Sequence, residues 1–406
     1  MPSRIVSSSE ERIPLAEPTI GGNAARYLLE CLHTNFVSSV GPFVGRFERE
    51  FADAVGVRFA VACGSGTAAI HLALLALDVG PGQDVLVADL TFVASANPIA
   101  YVGATPVLVD SEPRTLGLDP ALVVEELERR AQRGQPQPAA IEVVHLVGHP
   151  ADIEPIMVVA ERFGVPVVED ASEALGATYT GGAYAGRSVG TIGRLGCFSF
   201  NGNKIITTGG GGMVVTDDEG FARRVRHLST QARLAGLAYD HDEVGFNYRL
   251  SNIAAALGTA QLEQLPSLLA ARRRVAARYD AALAGLAGLH PPARAPWADP
   301  SFWLYTASLE TGGRGSPGST TPGPPPDPGP RDRLLAHLAE RGIEARPIWT
   351  PLHRTRLYAD APRLGGAVAE AIFAAGVCLP SSSSLQPEAQ DRVIAAVTDA
   401  VAGAIA

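Results

Sequence analysis

Between residues 58 and 170 the chain alternates short, almost wholly apolar runs with longer stretches of helical period, and few folds accommodate that pattern. RFAVAC (58–63), DVLVAD (84–89), TPVLVD (105–110), IEVVHLVG (141–148) and VPVVED (165–170) read as buried strands. Residues 67–77 place Ile70, Leu74 and Leu77 at helical spacing, and 91–103, 119–131 and 152–163 also read as helices. Strands alternating with helices predict a doubly wound, mainly parallel sheet. CFSF (197–200) and GMVVTD (212–217) add short strands. Helices then dominate from about 219 to 287, and a smaller C-terminal region begins at 288. Residues 311–331, TGGRGSPGSTTPGPPPDPGPR, hold few apolar groups and read as a mobile surface loop.

With 406 residues, the chain has room for two domains, and 46% apolar residues can bury a sizeable core. The net charge of −9 leaves no broad basic surface for nucleic acid or an anionic membrane. The N-terminus lacks the apolar stretch of a signal peptide, and no run of 18 apolar residues suggests a span. Cys31, Cys63, Cys197 and Cys378 lie far apart, without metal-type spacing. A cytoplasmic, reduced, metal-free enzyme is expected.

Of the 33 basic residues, 32 are Arg and one is Lys, Lys204. A coding bias accounts for the arginines but not for the exception. Arg replaces Lys wherever a surface charge is wanted. It cannot replace an amine that must lose its proton and attack a carbonyl, because guanidinium stays protonated.

Three motifs surround that lysine in chemical terms. GSGTAA (64–69) lies between a strand and a helix, where glycines permit a tight turn and free N–H groups attract a phosphate; a structural turn would look the same. In VVEDASEALGA (167–177), Asp170 ends a strand, where open α/β sheets place ligands; a helix N-cap is the competing reading. In CFSFNGNKIITTGGGG (197–212), Lys204 follows a short strand and precedes a glycine run. Together they match the needs of pyridoxal phosphate: a phosphate cradle, a carboxylate for the ring nitrogen and an amine for the aldehyde. Phe92 is placed to supply a flat aromatic against the ring.

The chain resembles the DegT/DnrJ/EryC1/StrS sugar aminotransferases from about residue 15 to 265, and more faintly beyond. NFVSSVGPFVGRFEREFA, TFVASANPIAYVGATPVLVD, FSFNGNKIITTGGGGMVVTDD and HDEVGFNYRLSNIAAALGTAQLEQL carry the likeness. Several of these are similar to the subgroup that makes legionaminic-type 4-amino sugars. The resemblance implies an α/β fold, fold type I of the pyridoxal-phosphate enzymes. A large domain over 1–287 would hold a mainly parallel seven-stranded sheet flanked by helices, and a smaller C-terminal α/β domain would span 288–406.

It also implies roles. Lys204 would hold the cofactor covalently, Asp170 would pair with the pyridine nitrogen, Glu173 would sit near the ring hydroxyl and Phe92 would stack on the ring. Gly66, Thr67, Ala68 and Ser199 would hold the phosphate, and Asn247 would reach the partner subunit's phosphate in a homodimer with shared sites. The small residues Ala254, Ala255, Ala256 and Gly258 suit either a core or a subunit interface, and the resemblance favours the interface. Arg249, His145 and His149 read as structural. The implied reaction moves an amine from L-glutamate to C4 of a nucleotide-linked, UDP-carried, 4-keto-6-deoxy-N-acetylhexosamine. The unusual 311–331 stretch leaves the roles of Arg346, Trp349 and His353 open. A related dehydratase class has His where this chain has Lys204. A non-sugar aminotransferase or lyase, and a non-catalytic regulatory protein that binds the cofactor, are the other readings.

Overall fold

The computed structural model describes residues 12–310 and 329–405. Of the loop expected over 311–331, residues 311–328 lie outside the described residues, and Pro330 opens a helix. Pro suits that first helical position because its missing N–H would be unpaired there anyway.

The apolar runs become strands β1 (Phe59–Cys63), β2 (Asp84–Ala88), β3 (Thr105–Val109), β4 (Ala140–Val144) and β5 (Val167–Asp170). The two-residue strand β6 (Thr178–Tyr179) lies apart, and β7 (Leu195–Ser199) and β8 (Gly212–Thr216) return to the main sheet. The C-terminal region adds β9 (Leu289–His290), β10 (Ala298–Asp299), β11 (Tyr305–Leu309), β12 (Arg346–Pro347), β13 (Arg363–Leu364) and β14 (Gly376–Leu379). The main sheet runs β1-β8-β7-β5-β4-β2-β3-β13, with β8 alone antiparallel to its neighbours. Seven of its strands are those expected. The eighth comes from the C-terminal region, where Arg363 and Leu364 pair with Leu108 and Val109. A second sheet, β12-β14-β11-β9, forms the small layer, and β6 pairs with β10.

Helices α1 (Ala24–His33) and α2 (Pro42–Val55) precede the sheet, and α3 (Gly66–Ala76), α4 (Val93–Tyr101), α5 (Pro120–Gln132), α6 (Glu154–Phe163) and α7 (Glu219–Ser229) connect its strands. Helices α8 (Asn252–Leu262) and α9 (Leu265–Leu283) follow, then α10 (Pro330–Glu340), α11 (Ala367–Ala375) and α12 (Pro387–Ile405). Ser65, Asp119, Asp218 and Ser251 cap α3, α5, α7 and α8 by accepting N–H bonds from their first turns. Two cores result, one on each face of the sheet. Side chains of α3, α4 and α7 fill one, and those of α2, α5, α6 and α8 fill the other. In the second core Phe51 meets Phe198 and Phe47 meets Phe200 at ring distances of 5.1 and 5.2 Å, edge to face.

The interface expected of α8 is corrected in part. Ala255 and Ala256 are fully buried in the chain's own core, and a Cβ on Gly258 would stand 2.8 Å from Phe47 and Thr208. Their smallness lets α8 close against α2. A third core joins the small sheet to α10 and α12, and it draws in Ile13 and the second half of α9 through Val275 and Tyr279. Among the described residues no helix is long and apolar enough to cross a membrane. The four cysteines are free and buried.

Candidate active site

A cavity of about 300 Å³ opens at the C-terminal ends of the parallel strands, where open α/β sheets hold ligands. Gly66, Thr67, Phe92, Asp170, Glu173, Ser199 and Lys204, seven of the nine residues expected at the site, line it. They arrive from four strand ends because each motif follows a strand.

The helix start explains its own glycine. A Cβ on Gly66 would stand 2.7 Å from the Cβ of Ser199 and 3.1 Å from the Ser172 hydroxyl. The start of α3 therefore lies directly against both serines. Ala68 is set apart from this cradle. Its N–H is taken by the Ser65 hydroxyl at 3.0 Å, and its side chain is buried behind the cavity wall.

Asp170 lies at the end of β5, 5% exposed. No helix begins after it, so the N-cap reading falls; instead its Oδ1 accepts the Ser172 N–H at 3.0 Å in a local turn. Its Oδ2 accepts the hydroxyl of Ser95 at 2.8 Å, and Ser95 lies 2.8 Å from Thr91. With Ser95 donating to Asp170, Thr91 must be the donor to Ser95. Each carboxylate oxygen keeps a lone pair for a further donor.

Lys204 closes a turn in which its N–H bonds to Asn201 O at 3.0 Å. Its Nζ lies 3.8 Å from Glu173 Oε1 and 3.8 Å from the centre of the Trp303 ring. Burial pushes the amine below the ordinary lysine range, and the carboxylates of Glu173 and Asp170 pull the other way. Burial likewise raises the Glu173 carboxyl, opposed by Lys204 and by the Val147 N–H, which bonds Oε2 at 2.8 Å. Val147 presents that N–H from a left-handed conformation, φ +50°, which is strained for a β-branched residue.

Phe92 is half exposed on the opposite wall, with its ring 5.2 Å from that of Trp349. Trp349 stacks in turn beside Trp303 at 6.2 Å. The turn carrying Trp349 is tied down by His353, whose two ring nitrogens meet Asp89 and Glu370, while the backbone N–H of Leu352 bonds Asp89 O at 2.8 Å. Arg346 stays outside, exposed and paired with Glu344.

Asn247 is exposed and does not line this chain's cavity, although the carbonyl of the next residue, Tyr248, accepts the Gly64 N–H at 2.8 Å; its Oδ1 accepts bonds from Arg249 at 3.2 and 3.0 Å. His145 and His149 are satisfied in the core. The Nδ1 of His145 accepts the Ala151 N–H, which leaves Nε2–H to bond Glu169 at 2.9 Å. His149 Nε2 accepts the Ala295 N–H at 3.2 Å. Sequence reasoning passed over Ser95, Ser172 and Trp303. Ser95 had a signal, since it stands one helical turn after Thr91 on the face that leads to β5.

The donor set fits pyridoxal phosphate. A helix start backed by two hydroxyls, a buried carboxylate, a single amine and an aromatic wall surround one space. The model of the DegT/DnrJ/EryC1/StrS aminotransferase family matches residues 18–398. A GDP-perosamine synthase of Caulobacter vibrioides is 44% identical over 95% of this chain and 97% of its own length. A GDP-perosamine synthase of Escherichia coli O157:H7 is 36% identical over 93% and 95%. The PLP-form of Spr1654 from Streptococcus pneumoniae superposes with a TM-score of 0.82 at 26% identity, over 97% of this chain and 99% of that one. The chain thus belongs to the DegT/DnrJ/EryC1/StrS family and is a pyridoxal-phosphate-dependent sugar aminotransferase.

Proposed function

We propose that this enzyme moves the amino group of L-glutamate to C4 of a 4-keto-6-deoxyhexose carried on a nucleoside diphosphate, for a surface glycan. The observation that carries this reading is the convergence of Lys204, Asp170, Glu173 and the α3 start on one cavity. The family motifs alone suggest a UDP-linked N-acetylhexosamine and the legionaminic-type subgroup. Two relatives named GDP-perosamine synthases, at 44% and 36% identity, favour a GDP-linked acceptor instead.

When bound, pyridoxal phosphate supplies an aldehyde that takes up an amine and a ring that draws electrons from the adjoining carbon. Gly66, Thr67 and Ser199 would hold the phosphate, the first two through backbone N–H groups. Asp170 would accept the N–H of the ring nitrogen and so keep that proton in place. Glu173 would stand by the ring hydroxyl and Phe92 would cover the ring. Lys204, whose deprotonation burial favours, would carry the cofactor and move the proton at Nζ.

The reading includes a cytoplasmic homodimer, each protomer holding a large domain to residue 287 and a small one from 288. In support, Leu29, Leu32, Phe36, Val37 and Val40 leave a run of apolar side chains exposed. Asn247, which does not line its own chain's cavity, would then serve the partner's phosphate. The test is a panel of GDP- and UDP-linked keto-sugars offered to protein loaded with pyridoxamine phosphate. The acceptor that discharges the amine, read by absorbance and by product mass, identifies the substrate. If no nucleotide sugar discharges it but a free keto acid or keto-cyclitol does, the nucleotide-sugar reading is wrong.

A further inference from the structure

Trp303 is 1% exposed and stands on the segment that leads into β11, 99 residues from the lysine it touches. Two contacts join them. The indole Nε1–H donates to the carbonyl of Asn203, the residue before Lys204, at 2.7 Å. The face of the ring lies 3.8 Å from the Lys204 Nζ. We propose that Trp303 is the positioning residue of Lys204: its N–H fixes the peptide that carries the lysine, and its ring face stabilises the ammonium form and so sets the pH at which the amine becomes free.

The segment around Trp303 is built to hold that position. Ser301 N bonds Gly148 O at 2.9 Å, and Tyr305 N bonds the Ser381 hydroxyl at 2.8 Å. Arg272, almost wholly buried, donates from one Nη1 to Trp303 O and Ser381 O, both at 2.8 Å. Phe302, at φ +52°, is held in a conformation that a free chain avoids. Gly148 lies so close that a Cβ there would meet Trp303 N at 2.7 Å.

A cation over an indole is attracted by the ring's negative face, most strongly where water is excluded. The charged groups facing Lys204 are Glu173 and Asp170, and both also favour the ammonium form. Trp303 adds an attraction that no carboxylate titration can remove. The amine is thereby held against the burial that drives it neutral.

The inference rests on the reading of Lys204 as the cofactor's amine, and the single lysine makes it testable without turnover. Competitive trace labelling with acetic anhydride across pH, on the full chain freed of cofactor, reports the free fraction of Lys204. Trypsin then cuts after Arg194 and Arg223 and isolates the labelled lysine in one peptide. Trp303→Leu removes both ring and N–H, and the labelling midpoint should fall by about 1 on the pH scale. Trp303→Phe keeps a ring face, so the midpoint should stay near the native value, while turnover of the loaded enzyme falls about tenfold because the Asn203 anchor is gone. An unchanged midpoint in folded Trp303→Leu overturns the electrostatic role, and full turnover in Trp303→Phe overturns the anchor. Where Trp303→Leu fails to fold, fluorinated tryptophans, near-isosteric with weakened ring faces, give the same reading. The midpoint should then fall stepwise with fluorination, and a constant midpoint overturns the proposal. Borohydride reduction of the loaded protein reads the cofactor's attachment separately, so failure of one reading leaves the other standing.

Discussion

The hydroxyl of Ser95 donates to Oδ2 of Asp170 at 2.8 Å, joining α4 to the end of β5 beneath the cavity. The carboxylate is thus oriented by a helix that follows a different strand. If Asp170 keeps the ring nitrogen protonated, Asp170→Asn should still bind cofactor but lose about a hundredfold or more in turnover, as for removal of a preorganised charge partner in a dry site. Ser95→Ala should cost roughly tenfold, since one hydrogen bond to an anion is lost while the anion stays. Steady-state rates on fully loaded protein decide, and a loss below about tenfold for Asp170→Asn would show a turn-forming role only.

Lys204→Arg keeps a positive charge between Glu173 and Trp303 but removes the nucleophile. Turnover should drop by about a thousandfold or more. Borohydride reduction should leave no pyridoxyl group on the peptide after Arg194, whereas the native chain carries one there and nowhere else.

Gly66→Ala sets a methyl 2.7 Å from Ser199 Cβ, so the α3 start must shift away from its partner hydroxyls. Cofactor affinity should weaken about tenfold, measured by absorbance titration, with little change in the melting temperature of the unloaded chain. Gly202→Ala, which meets nothing within 4 Å, is the control and should bind normally.

Glu142 lies in the middle of β4, fully buried, and neither carboxylate oxygen has a partner. Burial, with Asp170 adding to it, raises the carboxyl well above its ordinary value of 4.5. The unfolded chain loses this proton above about pH 4.5 while the folded chain keeps it, so the residue's contribution falls as pH rises from there. Glu142→Leu should therefore be more stable than the native chain at pH 7–8, by about 1–3 kcal/mol, with the gap narrowing toward pH 4.5. Denaturant melts at both pH values test the sign.

Lys204→Ala and Asn247→Asp should each be nearly inactive, one lacking the amine and the other opposing the phosphate with a second anion. If sites are shared across a two-fold axis, mixed dimers contain one intact site and recover up to about half the activity per exchanged dimer. Exchange verified by mass with no recovery, both parents being folded, would remove Asn247 from the partner's site.

The legible parts of the chain were those with a period or a motif. Residues 85–88 and 106–109, most of two buried strands, are unbroken apolar runs, and Lys204, Asp170 and Gly66 sit at or just after strand ends that the alternation already marks. Other features left no local trace. Two residues carry no period, so Arg363 and Leu364 gave no sign of joining the main sheet. Trp303 meets Lys204 only through a contact 99 positions apart, and an indole in an apolar stretch reads as plain core. The small residues of α8 were ambiguous because smallness serves a tight core and a tight interface alike, and only the burial of Ala255 and Ala256 and the fit of Gly258 against Phe47 distinguish them.

The strand at 363–364 also bears on how the molecule is made. Until the ribosome has released Leu364, the outer edge of β3 has no partner for the bonds from Leu108 to Pro362 and from Asp110 to Leu364. A nascent chain therefore carries this sheet edge open through the synthesis of about 250 residues after Val109, about 160 of them after Lys204, the state in which strands recruit strangers. Premature termination between Trp349 and Leu364 leaves every residue that lines the cavity in the chain, yet the edge of β3 open to pair with its own kind.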